Sequence, residues 1–513
     1  MYSLASVLDQ HAQRRPGRTV LVQDDRRVTG AELRDRVGAL ARGLLDLGVG
    51  RGDVVALLMY NHLEYLELVF AANRIGAAFL PLNFRLAPAE WEYILGHSGA
   101  VAIVTESEFA GAVDELAPRL PGLRHRITLD GPAAGGWTRY PGVVEENLGR
   151  PAPEPVDVGE DELQRLMYTS GTTSRPKGVM ITNGNVIYKN LGQIIQLGLT
   201  HEDITLVCGP LSHVGGLDLP ALATWHAGGT LVVQRRFDAG GVLAAIERER
   251  VTNLWLAPAM MNAVLEHESL PGRDTSSVRF IVGGGEKMPE PIVRRITAAF
   301  PNAWFADAYG LTETVSGDTF LDREHTLTKI GSVGRPLPHV RLRVVDDEGR
   351  DVPPGELGEI VLRGPKVFTG YWRDEAATER ALRDGWFHTG DVGRLDAEGF
   401  LYVEDRKKDM IISGGENIAT PEVERVLYEH PDILEAAVVG MPHERWGEVP
   451  RAFVVPRPGR SIDPEEIKEF CRARLARFKV PARIEPLTEL PRTPSGKVLK
   501  RDLRERPEAK ASS

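Results

Sequence analysis

The sequence predicts an α/β protein: a large N-terminal part of two doubly wound α/β subdomains plus a small β unit, followed by an α+β C-terminal domain. Three observations predict it. Apolar runs of strand length alternate with helical periodicity from about 54 to 104. The same alternation returns from about 204 to 285. From about 340 the pattern becomes short alternating strands between Gly, Pro and Asp turns. Strand–helix–strand alternation implies parallel sheets with helices on both faces. At 513 residues the chain exceeds one core, so two to four domains or subdomains are expected.

The elements follow in order. Residues 5–49 read as helical, with Leu33, Val37, Leu40, Leu44 and Leu45 at helical spacing. After the Arg51-Gly52-Asp53 turn, Val54 to Leu58 reads as a buried strand. A helix over 62–75, a strand over 77–82, a helix over 88–97 and a strand over 101–104 complete the first unit. The second unit has strands over 204–208, 230–234, 253–257 and 279–283. The β unit takes 340–345, 359–364 and 393–395. A helix over 421–430, a strand over 434–440 and a helix over 464–477 form the last part. The charge run Asp405-Arg406-Lys407-Lys408-Asp409 reads as a solvated turn or as a linker between residues 1–404 and 409–513.

Composition is that of a soluble globular chain, with 42% hydrophobic and 26% charged residues. The net charge of −10 argues against a nucleic-acid partner, which calls for a basic excess. Cys208 and Cys471 are too few for a disulfide framework or a Cys-based zinc site, so a cytoplasmic location is expected. No signal peptide and no apolar run of about 18 residues is visible, so no integral membrane segment is expected. Gly-x-Ser-x-Gly, His-Glu-x-x-His and a strand-bounded Gly-x-Gly-x-x-Gly are absent, which leaves hydrolase, zinc-protease and dinucleotide readings without support.

Residues 169–178 read Thr-Ser-Gly-Thr-Thr-Ser-Arg-Pro-Lys-Gly between two apolar strand ends. Backbone N–H groups and hydroxyls of such a turn wrap phosphate oxygens, and Lys177 adds charge, so a nucleoside triphosphate is the expected ligand. The turn is not a Walker A loop, because Gly171 leads to Pro176-Lys177-Gly178 rather than to Gly-Lys-Ser/Thr. Five further clusters follow: Pro210-Leu211-Ser212-His213, Gly283-Gly284-Gly285-Glu286, Tyr309 to Thr314 (Tyr-Gly-Leu-Thr-Glu-Thr), Gly385 to Asp391, and Pro494-Ser495-Gly496-Lys497. With the phosphate turn and the 405–409 run, their order and spacing resemble the adenylate-forming superfamily, which includes acyl-CoA synthetases, luciferases and peptide-synthetase adenylation domains. The resemblance runs from about Leu4 to Arg506.

That resemblance implies ATP- and Mg²⁺-dependent conversion of a small carboxylic acid to acyl-AMP with pyrophosphate release, then transfer to CoA. It implies that Thr169, Ser170, Gly171, Thr172, Thr173 and Lys177 hold phosphates, with Ser174 standing where such loops usually have glycine. Glu313 is implied to hold Mg²⁺ and Thr312 to bind the α-phosphate; taken alone, Glu313 also reads as a helix-capping carboxylate. Tyr309 is implied to stack on adenine, with Gly284, Gly285, Glu286, Asp307, Ala308 and Gly310 around the nucleotide. Asp307 occupies a position where relatives often carry Asn or Gln, and a carboxylate accepts but does not donate. Asp391, aided by Arg406, is implied to grip the ribose diol.

Lys497 is implied to act on a mobile C-terminal domain, neutralising charge in the adenylation transition state, with Lys408 as the hinge. Gly414, Gly415 and Glu416 are implied to line the CoA tunnel, and His213, Val214, Gly283 and Val315 the acyl pocket. His213 reads either as a gate or as a core histidine. Asp218 reads either as a recogniser of a substrate amine or as a helix N-cap ahead of Leu219-Pro220. A modest hydrophobic acid is favoured, with fatty-acid metabolism as the setting. The rivals are transfer to a carrier protein's phosphopantetheine arm, and diversion of the adenylate to a non-thiol reaction such as luciferase-like oxygenation or nitrite activation.

Overall fold

A computed structural model describes residues 3–133, 135–169, 176–284, 288, 290–406, 409–413, 416–443, 446–492 and 498–507, with backbone alone at 406, 416 and 417. Among these residues the chain is a mixed α/β protein with four sheets. The seven-stranded sheet runs Trp137–Arg139, His125–Thr128, Ala102–Thr105, Val54–Leu58, Ala78–Pro81, Leu163–Thr169, Lys177–Thr182. All its pairs are parallel except the last, the antiparallel hairpin that carries the phosphate turn. The nine-stranded sheet is parallel from Trp304–Tyr309 through Phe280–Gly284, Asn253–Trp255, Ile204–Val207 and Thr230–Val233 to Thr19–Gln23. Antiparallel strands close both of its edges.

Period-two alternation sorts each strand between two cores. In Val54–Leu58, Val55 and Leu57 face a core shared with the nine-stranded sheet, while Val54, Ala56 and Leu58 face the outer helices. In the nine-stranded sheet, Val207, Leu231 and Val282 face the shared core, and Leu206, Val232 and Ile281 face its outer helices. Helix Leu63–Arg74 lies in the shared core and is buried at all but one of its positions. That burial explains why its apolar residues are not confined to one stripe, since a helix covered on every side has no solvent face to mark.

The stretch 5–49 departs from the helical expectation. It forms helix Leu4–Arg14, a hairpin of Thr19–Gln23 and Arg26–Thr29, and helix Gly30–Asp46. Val20-Leu21-Val22 is apolar with two β-branched valines, and its strand adds in parallel to Thr230–Val233. The hairpin turns at Asp24, which adopts φ 52°, and a capping box of Thr29 and Glu32 starts the second helix.

The β unit is antiparallel: Arg341–Val345, Gly358–Arg363, Trp386–Leu395 and Leu382–Arg383, with Leu401–Arg406 beside the third strand. The last sheet combines Glu416–Ile418, Ile411–Ser413, Gly447–Pro456 and Ile433–His443 with a parallel Arg483–Pro486, and packs helices Thr420–Tyr428 and Pro464–Arg472 on its own core. No helix among the described residues is long and apolar enough to cross a membrane.

Candidate active site

The site residues gather at the carboxyl ends of the parallel strands of the nine-stranded sheet, where open α/β sheets bind ligands. Register sets Gly283 beside Asp307 and Gly284 beside Ala308. Gly283 is glycine for a different reason than the expected contact with nucleotide or acid. A Cβ there would sit 2.2 Å from the Phe305 ring in the outer core. Gly310 is equally forced, since its Cβ would lie 2.3 Å from the backbone N of Gly317.

Tyr309 is buried and its hydroxyl donates to Asp391 Oδ2 at 2.7 Å. Burial, then the Asp391 charge, pushes that hydroxyl far above the usual tyrosine range, so it stays a donor. Asp391 also pairs in register with Arg406 across two strands of the β unit. The chain thus ties the expected base-stacking residue to the expected ribose carboxylate directly.

A second convergence surrounds Glu313, in the turn Thr312–Thr314. The Tyr371 hydroxyl donates to Glu313 Oε1 at 2.9 Å, and the Glu313 carbonyl accepts from Phe368 N at 2.7 Å. The Lys177 ammonium stands 4.9 Å from the centre of the Tyr371 ring. Backbone bonds from Met180 N to Gly370 O (3.0 Å) and from Trp372 N to Gly178 O (2.7 Å) dock segment 370–372 onto the strand leaving the phosphate turn. Tyr371 therefore joins the phosphate-turn lysine to the carboxylate, and its hydroxyl is held neutral by burial and by Glu313. A hard carboxylate and a lysine flanking one turn fit a magnesium-bound triphosphate.

Behind Glu313 the backbone takes three left-handed residues in a row, Val315 (φ 56°), Ser316 (φ 58°) and Gly317 (φ 64°). For a β-branched residue this conformation is strained. Lys366 holds it: its ammonium donates to Ser316 O (3.0 Å), Gly317 O (2.9 Å) and Asp318 Oδ1 (2.6 Å). Thr314 Oγ1 donates to the other Asp318 oxygen. Lys366 and Asp318 are both buried, and burial pulls the lysine below its ordinary range while the Asp318 charge opposes that shift.

His213 begins the short helix Val214–Asp218, and its Nδ1 accepts from Gly215 N at 3.0 Å. Its ring centre lies 6.1 Å from that of Trp255. Val214 and Val315 are both buried in the shared core. Asp218 corrects both readings given to it. It ends that helix rather than capping one, and it faces buried cations: Arg165 at 2.6 Å and Lys189 at 3.2 Å, all three with no exposed side-chain surface. A carboxylate already compensated by two cations is not poised to read a substrate amine.

Sequence reasoning missed Tyr371, Lys366 and the Arg165–Lys189–Asp218 triad. None belongs to a motif, and the docking of Gly370-Tyr371-Trp372 on the strand after the phosphate turn joins segments too far apart in sequence for any spacing to mark. Ser170, Gly171, Thr172, Thr173, Ser174, Gly285, Glu286, Lys408, Gly414, Gly415 and Lys497 lie outside the described residues, as do the side chains of Arg406 and Glu416.

Comparison with known proteins identifies the family. Residues 8–372 match the AMP-binding enzyme family and residues 422–497 the AMP-binding enzyme C-terminal domain. The chain is 42% identical over 497 residues to a feruloyl-CoA synthase of Amycolatopsis sp, covering 97% of each chain. Its fold is similar to o-succinylbenzoate CoA synthetase from Bacillus subtilis bound to its acyl-adenylate intermediate, with TM-score 0.85, 34% identity and 98% and 99% of the two chains covered. That enzyme is also known with ATP and magnesium ion. The amide bond synthetase McbA from Marinactinospora thermotolerans is similar at TM-score 0.89 and 31% identity, over 98% and 99% of the chains. The chain belongs to the AMP-binding enzymes of the adenylate-forming superfamily.

Proposed function

We propose that this protein is an aromatic acid–CoA ligase: it joins a ring-bearing carboxylic acid to ATP, releases pyrophosphate, and passes the acyl group from AMP to CoA. The acid's carboxylate oxygen attacks the α-phosphorus, pyrophosphate leaves, and the CoA thiol then displaces AMP at the carbonyl. Full-length likeness to a feruloyl-CoA synthase supports this reading, as does the adenylate-bound o-succinylbenzoate enzyme. An aromatic acid narrows the modest hydrophobic acid favoured on motifs alone. The observation that carries the choice is a flat indole, Trp255, lying over two glycines beside His213. A planar wall of this kind stacks on a ring better than it wraps a flexible chain.

Within this reading, Lys177 and the phosphate turn hold the triphosphate, and Glu313 supplies an oxygen for the magnesium that bound ATP brings. That ion offsets phosphate charge. Tyr371 orients Glu313, and Tyr309 orients Asp391 toward the ribose. Lys497 supplies the charge that stabilises adenylation, and Lys408 serves as the pivot between half-reactions.

Pyrophosphate release across aromatic and straight-chain acids, each with CoA, a carrier protein or an amine as acceptor, tests the proposal. We expect turnover with aromatic acids and CoA. Preference for straight-chain acids would overturn the aromatic assignment. Dependence on a carrier protein would move the acceptor to a phosphopantetheine arm. An amide product would align the chain with McbA, the reading that its fold likeness supports second.

A further inference from the structure

Trp255 ends the central strand Asn253–Trp255, opposite Val282 and one residue short of the level of Gly283. Its side chain is 6% exposed and belongs to the shared core. The indole lies flat on the loop that carries His213. A Cβ at Gly209 would meet ring atom Cζ3 at 2.6 Å, and one at Gly215 would meet Cζ2 at 2.5 Å and Cε2 at 2.8 Å. Both glycines thus lie against the face of the six-membered ring, and the indole N–H lies in the plane of that ring. That N–H is buried and has no hydrogen-bond partner among the described residues. The hydroxyl of Ser212, the residue before His213, is likewise buried without a partner.

The unmet N–H of an indole so closely fitted to two glycines needs an account. A buried donor without an acceptor costs more than the bond it lacks, so such groups are ordinarily satisfied. The wall is built around the indole, since Gly209 and Gly215 are both needed for the ring to lie where it does. A phenylalanine in the same place would fill most of the same space with no unmet donor. The donor is therefore kept for something that arrives.

We propose that the Trp255 indole N–H is a specificity-determining donor for an oxygen substituent on the aromatic ring of the acid. This inference rests on the aromatic-acid reading and names its class: hydroxy-, alkoxy- or oxo-substituted aryl acids rather than bare hydrocarbons. A site with a buried donor rejects an analogue that lacks the acceptor far more strongly than an apolar pocket rejects a change of one methylene.

The test compares isosteric pairs, ring-methoxylated against ring-ethylated cinnamates at each ring position, by kcat/KM for pyrophosphate release. In the unmodified protein the methoxy acid is favoured about tenfold at one position. In Trp255→Phe that ratio falls to about one, whatever the absolute rates, with the loss carried mainly by KM. AMP binding and the melting temperature report whether the variant is folded, and the wild-type ratio stands without it. A purely structural Trp255 would lower both acids equally and leave the ratio unchanged, which overturns the proposal. Equal kcat/KM for both acids at every position in the unmodified protein overturns it too. Failure to release pyrophosphate with any aryl acid overturns the aromatic-acid reading itself, and this inference with it.

Discussion

Tyr371 touches both the expected phosphate lysine and the expected magnesium carboxylate, and its hydroxyl is the only part of it that a phenylalanine lacks. Removing that hydroxyl leaves Glu313 without its bond at 2.9 Å. We expect Tyr371→Phe to lower kcat/KM for ATP about tenfold and to raise the magnesium concentration needed for half-maximal rate, the equivalent of about 1.4 kcal/mol. Titration of activity against magnesium in both proteins checks this; an unchanged magnesium requirement removes Tyr371 from the positioning of Glu313. Tyr371 and Lys366 share a reason for escaping the sequence. Each is a single residue whose partner lies tens or hundreds of positions away, and no spacing rule marks such a pair. Asp391 and Glu313, by contrast, sit inside short motifs whose neighbours are fixed by the turn they form. Asp218 was visible as a residue but not as a partner: its two cations come from a strand and a helix distant in sequence.

At the scale of elements, the turn Thr312–Gly317 is held in its strained shape by a residue from the β-unit side, Lys366. Lys366→Met would leave Asp318 as an uncompensated buried charge, a loss of about 3 kcal/mol or more. We expect a lower melting temperature together with loss of adenylation, and partial recovery of stability in Lys366→Met/Asp318→Leu. A single variant as stable as wild type would show that the turn holds itself. A second element-scale expectation concerns acid. Burial, then the nearby His11 and Lys189, depresses His226 to about 4, against an ordinary value of 6.5. The unfolded chain binds that proton first, so stability is full above pH 6.5 and is lost as pH falls toward 4, by about 3 kcal/mol in all. His226→Gln should flatten the wild-type loss of melting temperature between pH 6.5 and 4; an identical slope in the two proteins rules His226 out as its source. The strands at 125–128, 137–139 and 304–309 went unread, whereas those at 54–58, 78–81, 102–105, 204–207, 230–233, 253–255 and 280–284 were legible because they are apolar runs of strand length between turn residues. The hairpin at 19–29 was not, because its four-residue second strand lies beside a long amphipathic helix whose periodicity dominates the window. Helix Leu63–Arg74 was found although it lacks a polar face, since its length exceeds that of a strand.

For the whole molecule, seven collinear motifs make the superfamily readable in the sequence, and the order of the two parallel sheets, the β unit and the last α+β sheet agrees with it. The division of labour between halves is a proposal. If Lys497 acts only in the first half-reaction, Lys497→Ala should abolish pyrophosphate release yet still convert supplied acyl-AMP to thioester. If Lys408 is the pivot, Lys408→Pro should keep adenylation and lose thioester formation. Equal loss of both half-reactions in either variant contradicts the assignment for that residue.

The most direct measurement follows one aromatic acid with ATP and magnesium by mass spectrometry, first without CoA and then after its addition. We expect an aryl-AMP to accumulate with stoichiometric pyrophosphate, and to be replaced by aryl-CoA and AMP once the thiol is present. No aryl-AMP from any aromatic acid, or an aryl-AMP that persists unchanged in the presence of CoA, would contradict the account.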